Sequence, residues 1–182
     1  MKNPIVLLID MCKEDLHSLE FVRPIEEILI KEGRKYFVKK CSEIDDASLK
    51  KCSCVIISGT SLMDEDYLNY KDRFLFLKNF KKPVLGICAG MQIIAMIFSG
   101  KLAKSQEIGP QRIFFKRKFL GLEGDINVYS LHNYSVKNIK SFEVFAESEK
   151  SIQAFKHRDR EIYGVMFHPE SRNKKLIANF LK

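Results

Sequence analysis

Pro83-Val84-Leu85-Gly86-Ile87-Cys88-Ala89-Gly90-Met91-Gln92 carries a short apolar run into a cysteine that has glycines two residues to either side. A helical apolar pattern follows over residues 90–98. This is the sequence form of a nucleophile elbow, a sharp strand-to-helix turn that exposes one reactive side chain. The glycines answer a steric need, because neighbouring backbone must pass the turn without a Cβ in the way. Unpaired N–H groups and the positive end of the helix dipole favour a thiolate there. Cys88 is therefore the first candidate for chemistry.

Short apolar runs and helical patterns alternate on either side of this stretch. Residues 5–9, 35–39, 54–58, 83–87 and 162–167 read as strands, and 16–31, 66–80, 90–98 and 176–181 as helices. Strands of four to six residues separated by helices predict parallel β-α-β units. The middle differs: strand-like pieces at 111–115, 125–131, 142–146 and 152–155 are punctuated by Gly121, Gly124 and Asn133, read as turns. The expectation is one α/β domain over residues 1–182, with a mostly parallel sheet flanked by helices and a small added antiparallel region.

Composition narrows the function classes. The chain has 182 residues and 46% apolar content, enough for one sizeable core, and contains no apolar run of membrane-spanning length. The run at 5–9 ends in Asp10 and is too short for a secretory leader, so a cytoplasmic protein is expected. Five cysteines without paired metal-ligand spacing argue against a disulfide framework and a zinc site. Cys52 and Cys54, two apart, are expected to share one strand face as small buried apolar groups. The net charge of +8 reads as a lysine-rich solvated surface, with nucleic acid disfavoured because no zinc finger or RNP-like motif accompanies it.

A second constellation, Phe167-His168-Pro169-Glu170, closes the last predicted strand. Residues two apart on extended backbone project to the same side, and Pro169 ends the ladder. His168 and Glu170 therefore suit a base and its orienting carboxylate at the C-terminal edge of the sheet, the edge that Cys88 also occupies. Together they supply what acyl transfer from an amide needs. The thiolate attacks, the imidazole protonates the leaving amine, the carboxylate fixes the ring, and the Ala89 N–H is the nearest oxyanion donor.

With these residues in hand the chain resembles the class I, triad-type glutamine amidotransferases. Their signatures G-[IV]-C-x-G-x-Q and G-[VI]-x-F-H-P-E read here as residues 86–92 and 164–170. The resemblance implies a flavodoxin-like fold and hydrolysis of glutamine through a Cys88 thioester. It implies no cofactor and no metal, and ammonia passed to a separate synthase. By the same motif Gln92 would help hold the amino-acid end of glutamine. Glu107-Ile108-Gly109 and Leu131-His132-Asn133-Tyr134 resemble segments of the GMP synthase branch. That adds Leu131 and His132 to the expected substrate contacts and an ATP pyrophosphatase to the expected partners.

The customary oxyanion loop S-G-G-P reads Ser58-Gly59-Thr60-Ser61. Gly59 and Thr60 are the expected donors, yet a β-branched residue tolerates positive φ poorly. A remodelled loop, or one that becomes active only on partner binding, is expected. Two other readings stay open: a free-standing γ-glutamyl amide hydrolase, and a catalytically weak regulatory paralogue. No phosphate-binding G-x-x-x-x-G-K-[ST] loop occurs, so ATP chemistry is expected to reside in a partner.

Overall fold

A computed structural model describes residues 4–182; Met1, Lys2 and Asn3, part of the N-terminal stretch weighed above as a leader, lie outside them. Nine strands form a single sheet in the order β2-β1-β3-β4-β9-β8-β7-β5-β6. Its parallel half comprises β1 (Ile5–Asp10), β2 (Lys35–Lys40), β3 (Cys54–Ile57), β4 (Val84–Ile87) and β9 (Ile162–Val165). The other four, β5 (Lys101–Phe119), β6 (Leu122–Lys137), β7 (Phe142–Glu147) and β8 (Ile152–His157), pair antiparallel and continue the same sheet.

Strand periodicity divides the core between the two faces. Val6, Leu8, Ile56 and Leu85 join one apolar cluster with α2 (Arg23–Lys31) and α5 (Lys175–Phe180). Their neighbours Leu7, Ile9, Val55 and Val84 join another, with α4 (Ala89–Ile97) and the 3-10 segment Asp66–Lys78. Parallel strands covered on both faces read as continuous apolar runs, which is why these were legible. Each fully buried Leu or Ile contributes about 1.5–3 kcal/mol relative to exposure.

Several expectations need correction. The helix expected over 16–31 is two helices, α1 (Asp15–Phe21) and α2, because Pro24 lacks the N–H that would continue the ladder and is tolerated only in a first turn. The helix expected over 66–80 is a 3-10 segment ending at Lys78. Its Asp, Asn and aromatic residues are weak α-formers, and only Tyr67, Phe74 and Leu77 are buried. A short α3 (Asp46–Lys51), capped by the Asp45 carboxylate accepting from the Ser48 N–H at 2.7 Å, went unread. The antiparallel region is not small, since β5 and β6 form a hairpin of 19 and 16 residues. Only Gly121 of the three supposed turn residues lies in its turn, where Leu120 and Gly121 both take positive φ. Pro110 obscured β5, but it sits where β5 is paired on one side only, β7 meeting β5 at Phe114 and Phe115 alone.

Cys52 closes α3 and Cys54 opens β3, and they pack with opposite clusters rather than on one face. All five cysteines are free. The basic run around 112–118 is spent on ion pairs: Arg112 with Asp125 at 2.9 Å, Lys116 with Glu147 at 2.9 Å, and Arg117 with Glu143. No helix of the described residues is long and apolar enough to cross a membrane.

Candidate active site

Cys88 stands between β4 and α4 with φ 48° and ψ −104°, in the left-handed region that a non-glycine residue enters only under constraint. The constraint is close packing of the turn. A Cβ on Gly90 would lie 2.4 Å from the Ile57 carbonyl oxygen, and one on Gly86 2.6 Å from the backbone of Gly90. Cys88 N–H donates to Val165 at 2.8 Å, which ties the elbow to β9, and Ala89 opens the helix with its N–H directed beyond the first turn. The thiol is buried, and its hydrogen points at the Leu131 carbonyl 3.5 Å away.

His168 follows β9, the neighbour of β4, so adjacent parallel strands deliver both side chains to one edge. The His168 N–H donates to Tyr129 at 2.8 Å and its ring packs on Phe21 with centroids 5.3 Å apart. Nδ1 meets Glu170 Oε1 at 2.6 Å, both side chains being almost wholly buried. That contact assigns the proton of Nδ1 and leaves Nε2 without a hydrogen-bond partner. Burial by itself would lower the pKa of His168. The Glu170 carboxylate and the Cys88 sulfur outweigh it, holding the imidazole well above its ordinary value. The site is therefore built to carry an imidazolium beside the Cys88 sulfur.

The raised His168 has a consequence for stability. A group whose pKa is higher in the folded state stabilises fully below its unfolded value and loses that contribution as pH rises through the folded one. The stability advantage of the parent over His168→Asn is thus expected to shrink as pH climbs above the ordinary histidine range. Denaturant titrations of both proteins from pH 6 to 10 check it; an advantage that grows with pH contradicts the assignment.

The loop after β3 brings Gly59 against the pair, its Cα facing the His168 ring and Cys88. Thr60 is not among the residues with positive φ, so it occupies the second-glycine position without backbone strain. Its hydroxyl donates to Asp64 Oδ2 at 2.6 Å. Gln92, Leu131 and His132 also reach the Cys88 pocket, though not with free side chains. Tyr67 donates its hydroxyl to Gln92 Oε1, and Gln92 Nε2 donates to the Tyr134 carbonyl at 3.1 Å. The His132 ring is buried between the Ser105 carbonyl at 3.0 Å and Glu107 Oε2 at 3.1 Å, and Gln153 donates to that same carboxylate oxygen at 2.7 Å. Gln92 and His132 brace the pocket, and the 131–134 backbone forms its wall.

The cavity at Cys88 measures about 20 Å³, room for about one water molecule. The 60–65 loop forms one of its walls, which Asn133 Nδ2 ties down through the Leu62 carbonyl at 2.9 Å. A volume of this size is too small for an amino acid in the conformation described. Tyr67 and Asp64 lie in no motif, and Asn133, expected only as a turn residue, holds the loop from within β6: each acts through a partner 25 to 71 positions away or across a loop. Among the described residues no group of three or more His, Cys, Asp or Glu side chains could hold a metal ion.

A thiol on a strained strand–helix turn of an α/β sheet, with a carboxylate-bound imidazole at the end of the next parallel strand, is the arrangement that cysteine acyl transfer requires. The Glutamine amidotransferase class-I family model matches residues 17–182, and the chain belongs to that family. A glutamine-hydrolysing GMP synthase subunit of Saccharolobus solfataricus is 37% identical over 145 residues, 73% of this chain and 77% of the relative. The protein of the same name from Methanocaldococcus jannaschii is 30% identical over 146 residues, 74% and 76% of the two chains. The fold matches a Thermoplasma acidophilum crystal structure assigned provisionally to the same GMP synthase subunit, with TM-score 0.88, 23% identity, and 100% and 94% coverage. It also matches a glutamine amidotransferase from Thermotoga maritima, with TM-score 0.74, 22% identity, and 93% and 77% coverage.

Proposed function

We propose that this chain is the glutaminase subunit of a two-subunit GMP synthase of the reducing cytoplasm, with Cys88, His168 and Glu170 as its catalytic residues. The observation that carries the reading is the convergence of the left-handed Cys88 with the buried His168–Glu170 pair on adjacent strands. The names of the relatives supply the acceptor reaction, and their designation as one subunit of that synthase supplies the separate partner. That partner is an ATP pyrophosphatase in this reading.

Chemically, the Cys88 thiolate adds to the γ-carbonyl carbon of glutamine, and the carbonyl π-pair moves onto oxygen. The N–H groups of Ala89 and Thr60 receive that oxyanion. Collapse breaks the C–N bond, the imidazolium of His168 protonates the departing nitrogen, and ammonia leaves a γ-glutamyl thioester. The now neutral imidazole takes a proton from water, whose oxygen attacks the thioester, and glutamate and the thiol are released. Glu170 holds the imidazole in the correct tautomer throughout. Glutamine's amino-acid end rests against Gln92 and the Leu131 and His132 backbone.

The small volume of the cavity favours a glutaminase that is nearly silent alone, with partner binding widening the pocket for glutamine. Purified chain is expected to release ammonia at least ~100-fold more slowly than the complex that co-purifies with it. Equal turnover with and without the partner would favour a free-standing amide hydrolase. A complex in which a diazo-ketone glutamine analogue leaves Cys88 unlabelled would favour a regulatory paralogue.

A further inference from the structure

Thr60 poses a problem that the fold solves with Ser58 of the same loop and with Cys12 and Asp64, which lie outside the family signatures. The sheet order puts β3 between β1 and β4, so the loop carrying Gly59 has Cys12 on one side and Cys88 on the other. On the β1 side the Gly59 carbonyl is held twice. The Ser58 hydroxyl donates to it at 2.8 Å and the Cys12 thiol at 3.8 Å. Ser58 is itself fixed, its Oγ accepting from the Met11 N–H at 3.1 Å and its N–H donating to Ile9 at 3.0 Å.

In a trans peptide the carbonyl and the following N–H point opposite ways. A Gly59 carbonyl turned to β1 therefore turns the Thr60 N–H toward β4 and Cys88, and among the described residues that N–H has no hydrogen-bond partner. The Thr60 side chain is anchored separately. Asp64 Oδ2 accepts from its hydroxyl at 2.6 Å and from the Lys13 N–H at 2.8 Å, while Asp64 Oδ1 accepts from Asp66 N–H at 3.1 Å. Burial and the nearby Asp10 push the Cys12 thiol up to about 12, so it keeps its proton and remains a donor at any working pH.

We propose that Cys12, Ser58 and Asp64 are positioning residues that hold the Gly59–Thr60 peptide with its N–H aimed at Cys88. They thereby preform an oxyanion donor where the second glycine is missing. The proposal rests on the glutaminase reading. A glycine there would leave the peptide free to rotate. Threonine, anchored through its hydroxyl, keeps one orientation.

The test measures kcat, KM and two Cys88 probes in the co-purifying complex, for Cys12→Val, Cys12→Ser, Asp64→Ala and Asp64→Asn. A γ-aldehyde analogue of glutamine adds the thiolate and places an oxyanion in the hole. Iodoacetamide alkylates by direct displacement and needs no such donor. Asp64→Ala is expected to lower kcat about 10-fold or more, and Cys12→Val about 3-fold, with KM within about 2-fold. Aldehyde inhibition should weaken by the same factors while the alkylation rate of Cys88 is kept. Asp64→Asn and Cys12→Ser, which retain an acceptor and a donor, should recover most of the loss. Should Asp64→Ala fail to fold, Thr60→Val makes the same comparison. Unchanged kcat and aldehyde affinity in these variants overturn the proposal, as does a parallel fall in alkylation, which marks general disorder. A parent complex that neither hydrolyses glutamine nor binds the aldehyde would instead refute the glutaminase reading.

Discussion

Cys88→Ala is expected to abolish glutamine-dependent ammonia release, by about 10⁴-fold or more, because no other group at the pocket can form the thioester. Of the other thiols, Cys12 is held protonated, and Cys41, Cys52 and Cys54 are likewise pushed up by burial, so none substitutes as a thiolate. The substitution deletes one sulfur from a tight elbow and leaves the glycine contacts intact, so its cost in stability stays at about 1 kcal/mol. If the partner synthase accepts free ammonia, the Cys88→Ala complex should retain ammonium-dependent synthesis. The check is paired: glutamine-dependent and ammonium-dependent turnover of the same preparation. Retention of glutamine-dependent turnover would remove Cys88 from the chemistry.

Gly59→Ala is expected to be nearly as damaging, for a different reason. The added Cβ would lie 2.6 Å from His168 Cε1 and 3.2 Å from Nδ1. His168 has nowhere to retreat, being held by Glu170 at 2.6 Å, by Tyr129 through its backbone and by the Phe21 ring. Either the loop or the imidazole shifts. A displacement near ~1 Å costs about 100-fold in kcat, and the overpacking costs about 1–3 kcal/mol in stability. Gly59 does not have positive φ, so the effect is steric alone. Turnover and thermal melting of the variant complex check it, and normal kcat would mean the loop is not where the structure puts it.

The parts of the fold legible in the sequence share one property: their signal is local. The strands of the parallel half are buried on both faces and read as apolar runs, and the elbow glycines are forced by a single tight turn. His168 and Glu170 lie two residues apart, so backbone geometry alone puts them on one side. The unread or misread parts depend on distant partners. β5 and β6 are stabilised by pairing with each other across a hairpin, and Gly109, Pro110 and Gly124 inside them look like breakers until that pairing is known. The single helix expected over 16–31 failed at Pro24, a local signal that apolar periodicity outweighed.

The site divides along the same line. The sequence by itself singled out the candidates for nucleophile, histidine and carboxylate, because each lies in a motif whose chemistry needs those residue types at that spacing. It also determined that Thr60 breaks the glycine pattern. Only the tertiary structure decided what Thr60 does, since its φ, its bond to Asp64 and the grip of Ser58 and Cys12 on the Gly59 carbonyl come from loops brought together by the strand order. It likewise decided how the Gln92 and His132 side chains are held, by burying both beside Tyr67, Tyr134 and Glu107. The physical reason is that spacing along a chain fixes neighbours within a few residues. The partner of a buried polar group is fixed by which strands lie side by side.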